Sequence, residues 1–141
     1  MVRVGVVLAC WLLFARVFVQ LHTWTVDDAY ITFRYAENWA AGEGPVYNPG
    51  EWVEGYTSVA WLALLTIAHA LGAPTELASK ALGAAAMATI PAVLASADRI
   101  APVPPRAAGA AALIAGTSGA LLAWAGGGLE VTASALVAAS R

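Results

Sequence analysis

The sequence predicts an all-α protein, a polytopic bundle of transmembrane helices, on three observations. Of its 141 residues 60% are hydrophobic and only 11% charged, and the mean hydropathy is +0.71; soluble domains carry about 25% charged residues. Four apolar segments approach the roughly 20 helical residues needed to cross hydrocarbon about 30 Å thick. Between the first two lies the one substantial polar stretch, residues 23–55, with six of the nine acidic residues. Segments of this length in lipid must satisfy their backbone internally, which selects helices. The partner is therefore the lipid bilayer. A net charge of −2 without any basic run argues against nucleic acid, which calls for clustered Lys and Arg.

The first segment, VGVVLACWLLFARVFVQLH, spans residues 4–22 and is broken once by Arg16. It reads as a retained helix, because no small-residue cleavage site follows it. The box VLAC at Cys10 is preceded by too short an apolar run for a lipoprotein signal. As the single cysteine, Cys10 also excludes an internal disulfide framework or a multi-cysteine metal site. Arg16 can snorkel, pair with an acid in the bundle or meet a lipid phosphate.

Within the polar stretch, DDAYITFRYAENWAA reads as a short amphipathic helix over 28–41, with Ile31, Tyr35 and Trp39 on one stripe and Thr32, Arg34, Glu37 and Asn38 off it. Either Asp27 or Asp28 can cap its start, where a carboxylate suits the helix dipole. The turn formers of GEGPVYNPGE then reverse the chain. Trp24, Tyr30, Trp39, Tyr47, Trp52 and Tyr56 suit a membrane interface.

The second apolar segment covers 56–72; the third, 75–97, contains Pro91 as a tolerable kink; the fourth covers 107–127. The Ala- and Gly-rich composition of the last two permits close helix contact in lipid. A further apolar run starts at Val131, and its shortness gives the expectation that the chain is a fragment of a longer protein. His22 and His69 stand alone and read as interfacial anchors.

Arg3, Arg99 and Arg106 mark two ends as cytoplasmic, which places the acidic loop outward. Glu130 then lies outward only if one of the three later segments lies shallow, and 56–72 is the shortest. Asp27 with Asp28, Glu54 and Glu130 all sit at ends of apolar segments. Ionisable groups there are functional candidates, able to line one outward cavity as proton acceptor or cation ligands, although caps facing water account for the same pattern. Arg34 can pair with a carboxylate or a phosphate. The GGG at 126–128 lacks the context of a dinucleotide fingerprint and reads as a loosened backbone before a helix.

DDAYITFRYAENWAAGEGPVYNPGEWVEGYTSVAW, followed by GGLEVTASAL, resembles the N-terminal part of GT-C superfamily membrane glycosyltransferases. It is most similar to the bacterial terminal arabinofuranosyltransferases and related uncharacterised members; protein O-mannosyltransferases, the lipid A aminoarabinose transferase and the oligosaccharyltransferase catalytic subunit are more distant. The resemblance implies a multi-pass enzyme of the plasma membrane, N-terminus cytoplasmic. It would transfer sugar from a polyprenyl-phosphate donor to a glycan, lipid or protein acceptor at the outer face. It further implies juxtamembrane helices at 28–41 and 56–72 within an outward loop, 23–72. Asp27 would match the catalytic base, Asp28 its support or a ligand of a divalent cation (Mg or Mn), Glu54 the acid at the loop's end, and Glu130 the acid of the second outward loop and a second possible ligand. Arg34 would compensate the lipid phosphate, with Arg16 as the other candidate. Members of that superfamily have many more spans, so the expectation is that this chain alone is inactive. The other class open to it is a non-catalytic small polytopic subunit, serving transport or binding lipid.

Overall fold

The computed structural model describes residues 2–140, and their regular structure is helical throughout. Seven α-helices follow in order: α1 (Val2–Leu21), α2 (Asp27–Ala40), α3 (Val59–Ala70), α4 (Thr75–Ala95), α5 (Pro105–Gly116), α6 (Gly119–Gly127) and α7 (Val131–Ala139), with a 3-10 turn at Ala97–Arg99. Two, α1 from Arg3 and α4, are long and apolar enough to cross a membrane; α5 and α6 together would make a third. The chain is a membrane protein.

Helix α4 is the centre of the bundle and packs against every other α-helix. In its most apolar window 39% is buried, against 6% for α1, so α1 presents most of its surface outward. Arg16 lies exposed on it. Among the described residues the ion pairs are Arg3–Asp98 and Lys80–Glu76, so Arg16 has no acid partner there.

Two ends can be recognised from what pairs across the bundle. At one, Arg3 near the start of α1 pairs with Asp98 after α4, and Arg3 and Arg106 line one groove. At the other, Lys80 Nζ donates to His22 O at 2.7 Å, Trp24 stacks obliquely on Trp124 at 6.1 Å, and the Val26 N–H donates to Gly127 O at 3.1 Å. Helix α4 thus runs antiparallel to α1, and α5 with α6 leads back from the arginine end to the second end. Helix α3 begins and ends at that second end: its preceding Thr57 bonds to Glu130, and His69 near its close bonds to Thr75 at the start of α4. Helices α2 and α3 therefore lie together across one end.

Residues 107–127, expected as one segment, form two helices with a bend of 52° between them. The cause is local. The break falls in Gly116-Thr117-Ser118-Gly119, where each Gly costs about 1 kcal/mol relative to Ala in a helix, and Thr117 Oγ1 bonds back to Leu113 O at 2.7 Å, closing the turn. Gly116 also faces Cys10, whose Sγ would lie 2.4 Å from an added Cβ. The second apolar segment is helical only from Val59, after Ser58 caps it by accepting the Trp61 N–H at 3.3 Å. Pro91 is buried within an uninterrupted α4.

The face of α2 differs from the expected stripe. Ala29, Thr32, Phe33, Tyr35, Ala36 and Asn38 are buried, whereas Ile31 is exposed. Packing against α3 selected the small residues Ala29 and Ala36, which admit close approach, and Asn38 is satisfied by donating to Val46 O at 2.9 Å and Tyr47 O at 2.8 Å. Phe33, Tyr35, Trp61, Leu62 and Leu65 form the core of this end. A second core joins Met87 of α4 and Leu122 and Ala125 of α6 to Leu13, Phe14 and Val17 of α1.

An added Cβ at Gly83 would stand 2.4 Å from Ala125 O, a backbone atom that cannot step aside, while one at Gly109 would meet nothing within 4 Å. Gly83→Ala is expected to lower stability by about 1–3 kcal/mol through overpacking, read as a lower midpoint of thermal unfolding in detergent. Gly109→Ala, gaining helix propensity at no steric cost, leaves the midpoint level or higher.

Candidate functional site

Asp27, Asp28 and Glu130, three of the acids singled out in the sequence, lie on segments that come together at one junction, built where residues 126–130 meet the chain on either side of α2. The N–H of Val26 donates to Gly127 O at 3.1 Å, the Trp61 indole N–H to Gly128 O at 3.3 Å, and Thr57 Oγ1 to Glu130 Oε1 at 2.9 Å. Gly128 adopts φ +94°, which L side chains rarely take, and an added Cβ would come within 2.8 Å of Ala29 Cβ and 3.0 Å of Phe33 Cζ. Glycine is thus required twice over at 128, for its conformation and for close approach.

Asp27 and Asp28 occupy the first two positions of α2 and are exposed. Neither is the capping residue; that position falls to Val26, whose side chain cannot accept a bond. The acids instead sit beside the unsatisfied N–H groups of the first turn, where the dipole favours negative charge. Arg34, seven residues after Asp27, returns to the same side of the helix about 10 Å along the axis. Tyr30, Ile31 and Arg34 continue the exposed side that Asp27 begins. The Arg34 Nε donates to Tyr47 O at 3.3 Å, so its structural partner is a backbone carbonyl of the turn and not a carboxylate.

Glu130 caps the start of α7 by position, is half-buried, and is oriented by Thr57. Tyr35 Oη donates to Val53 O at 2.6 Å, and the bare Cα of Gly55 faces the same phenol. This holds residues 53–55 against the Tyr35 hydroxyl. There Glu54 lines a cleft of about 200 Å³ with Pro45, Trp52, Val53 and Tyr56. The structure thus places Asp27, Asp28 and Glu130 on segments that meet at one junction, and Glu54 in the cleft with Trp52 and Tyr56.

Among the described residues no group of three or more His, Cys, Asp or Glu side chains could hold a metal ion. A divalent cation can be held by one or two carboxylates plus substrate phosphates, but the residues present do not build a self-contained site.

A second polar network, not singled out in the sequence, braces the junction. Lys80 is buried and donates to Glu76 Oε1 at 2.7 Å as well as to His22 O, while Thr25 Oγ1 donates to the same carboxylate at 2.6 Å. Thr75 Oγ1 donates to Glu37 Oε1 at 3.2 Å. These bonds tie the loop before α2, and α2 itself, to the start of α4. The i, i+4 spacing of Glu76 and Lys80 in TELASK was its available signal. His22 bonds locally, Nδ1 to Val19 O at 2.7 Å.

Comparison with known proteins adds chemistry to this geometry. Over 62 residues, 44% of the chain, it is 45% identical to the terminal beta-(1->2)-arabinofuranosyltransferase of Mycobacterium tuberculosis. The chain resembles an arabinofuranosyltransferase. Over 38 residues, 27% of the chain, it is 50% identical to the protein of the same name from Corynebacterium glutamicum. The matches cover 10% and 6% of those relatives, so the chain corresponds to a small part of their length. No family model matches, and no solved structure does.

Gly128→Ala imposes a left-handed backbone at a cost of about 1–2 kcal/mol on an L residue, besides the clash with Ala29. Hydrogen exchange is expected to report it as amides of the first turns of α2 opening about 5- to 30-fold more often, while those of α1 are unchanged.

Proposed function

We propose that this chain is part of a membrane glycosyltransferase that moves a sugar, an arabinofuranosyl group by its likeness to the relatives named above, from a polyprenyl-phosphate donor to an acceptor hydroxyl. The observation that carries the reading is the 45% identity over 62 residues to an enzyme of that name. The exposed carboxylates at the start of α2 agree with it.

In this reading Asp27 is the general base. An alcohol is a weak nucleophile at neutral pH, and a positioned carboxylate contributes about 10²- to 10⁴-fold by taking its proton. The acceptor oxygen forms its bond to the anomeric carbon as the carbon–oxygen bond to the lipid phosphate breaks. The proton passes to Asp27, and the phosphate leaves with its negative charge on the lipid. Arg34, on the same side of α2, compensates that charge; Asp28 and Glu130 are the further acids of the region, available to support the base or a divalent cation. The acceptor is a glycan, a lipid or a protein.

The reaction side follows from charge. Arg3, Arg99 and Arg106 lie at the end opposite α2, and basic residues in short loops remain cytoplasmic. We infer three crossings, by α1, α4 and the bent pair α5–α6, in the plasma membrane, with α2 and α3 lying at the outer surface.

In a full-length protein carrying this segment, Asp27→Asn is expected to lower sugar transfer from a polyprenyl-phosphate donor by about 10²- to 10⁴-fold while membrane insertion is retained; normal transfer by that variant would sink the assignment. For topology, single cysteines at positions 54 and 130 in a Cys10→Ala background are expected to react with an impermeant maleimide from the same, outer side. Labelling from opposite sides would overturn the arrangement.

A further inference from the structure

The arginine end carries a groove that the glycosyl-transfer reading does not use. It runs between α1 and α5, has a volume of about 610 Å³, and is lined by Arg3, Val6, Arg106, Gly109, Ala110 and Leu113. From Arg106 to Leu113 it follows α5 for about 10 Å. Its wall is apolar, and its floor is left open at Gly109, where an added Cβ would meet nothing within 4 Å.

Charge is arranged at its mouth. Arg3 and Arg106 line the groove, Arg99 lies at the same end, and the carboxylate there, Asp98, is paired with Arg3. Among the described residues Arg99 and Arg106 have no acid partner. The unneutralised charge at the groove is thus that of Arg106, one turn above an apolar channel flanking a helix long enough to cross the membrane. A groove so placed is filled from the bilayer, and a cation at its mouth with hydrocarbon-lined walls below matches one amphiphile, a lipid with a negatively charged phosphate head.

We propose that the α1–α5 groove binds an anionic glycerophospholipid of the adjacent leaflet, one acyl chain lying against Val6, Gly109, Ala110 and Leu113 and the phosphodiester meeting Arg106. The site is independent of Asp27 and of the transfer reaction.

The test is electron paramagnetic resonance of spin-labelled phosphatidylglycerol and phosphatidylcholine with the chain reconstituted in phosphatidylcholine bilayers. Phosphatidylglycerol is expected to show roughly fivefold stronger association with the protein, the preference a single Arg supplies near an anionic lipid. Arg106→Gln removes most of that preference and Arg106→Lys keeps it. Gly109→Leu fills the groove, and because Leu favours the helix over Gly its loss of preference reports the groove and not unfolding; circular dichroism confirms retained helix. Equal association of the two lipids with the unaltered chain overturns the proposal. So does a preference that survives Gly109→Leu, since that result assigns the attraction to surface charge alone.

Discussion

The start of α2 is set by carbonyls that belong to another helix. Gly127 O and Gly128 O accept from Val26 N–H and the Trp61 indole, and they can do so because the backbone turns at Gly128 through φ +94° with no Cβ between it and Ala29. No side chain caps α2, so its position depends on this junction and on Ala29 and Phe33 seated against Gly128. Everything placed by α2 follows from it: the acids of the first turn, the exposed side running to Arg34, and Tyr35, which holds the loop around Glu54. The triple glycine, read from sequence as a loosened backbone before a helix, ends α6 and turns the chain at Gly128 ahead of α7, forming a platform made possible by the absence of side chains.

The platform is held at a fixed height by the buried Lys80. A charge removed from water is costly unless it is both paired and hydrogen-bonded; Lys80 has a carboxylate in Glu76 and a carbonyl at His22. The same carboxylate accepts from Thr25, two residues before Asp27. One ionic pair thus links the end of α1, the approach to α2 and the start of α4. Because α4 also receives Glu37 through Thr75, α2 is fastened near both its ends, and the segment between has little freedom to tilt.

How much of this was legible follows from the range of each interaction. The long apolar helices and the acid-first helix are marked within single windows of sequence, by hydropathy and by two adjacent carboxylates at the start of the polar stretch. The break at 116–119 was also local, but its Gly and Ser/Thr content resembles the small-residue composition that favours helix packing in lipid, so composition masked it. The buried side of α2 was misread for a different reason: periodicity weights large apolar residues, and Ile31 outscores Ala29 and Ala36, although close packing against α3 and Gly128 needs the alanines. The bond from Thr57 to Glu130 joins residues 73 apart, and no local pattern carries that. The candidate acids were therefore visible one by one and their shared outward side was an expectation from charge, but the contacts that bring Glu130 to the chain beside α2 were not legible.

The grouping constrains any chemistry the acids perform. A carboxylate must come within about 2.6–3.2 Å of the oxygen whose proton it takes. Asp27 starts α2, whereas Glu54 sits on the loop that the Tyr35 hydroxyl holds through Val53 O. The cleft that Glu54 shares with Trp52 and Tyr56 has the aromatic walls and single carboxylate that suit contact with a polar substrate. Glu130 differs again, because Thr57 already occupies one of its carboxylate oxygens, which suits it to fixing the junction and raising the negative potential beside Asp27.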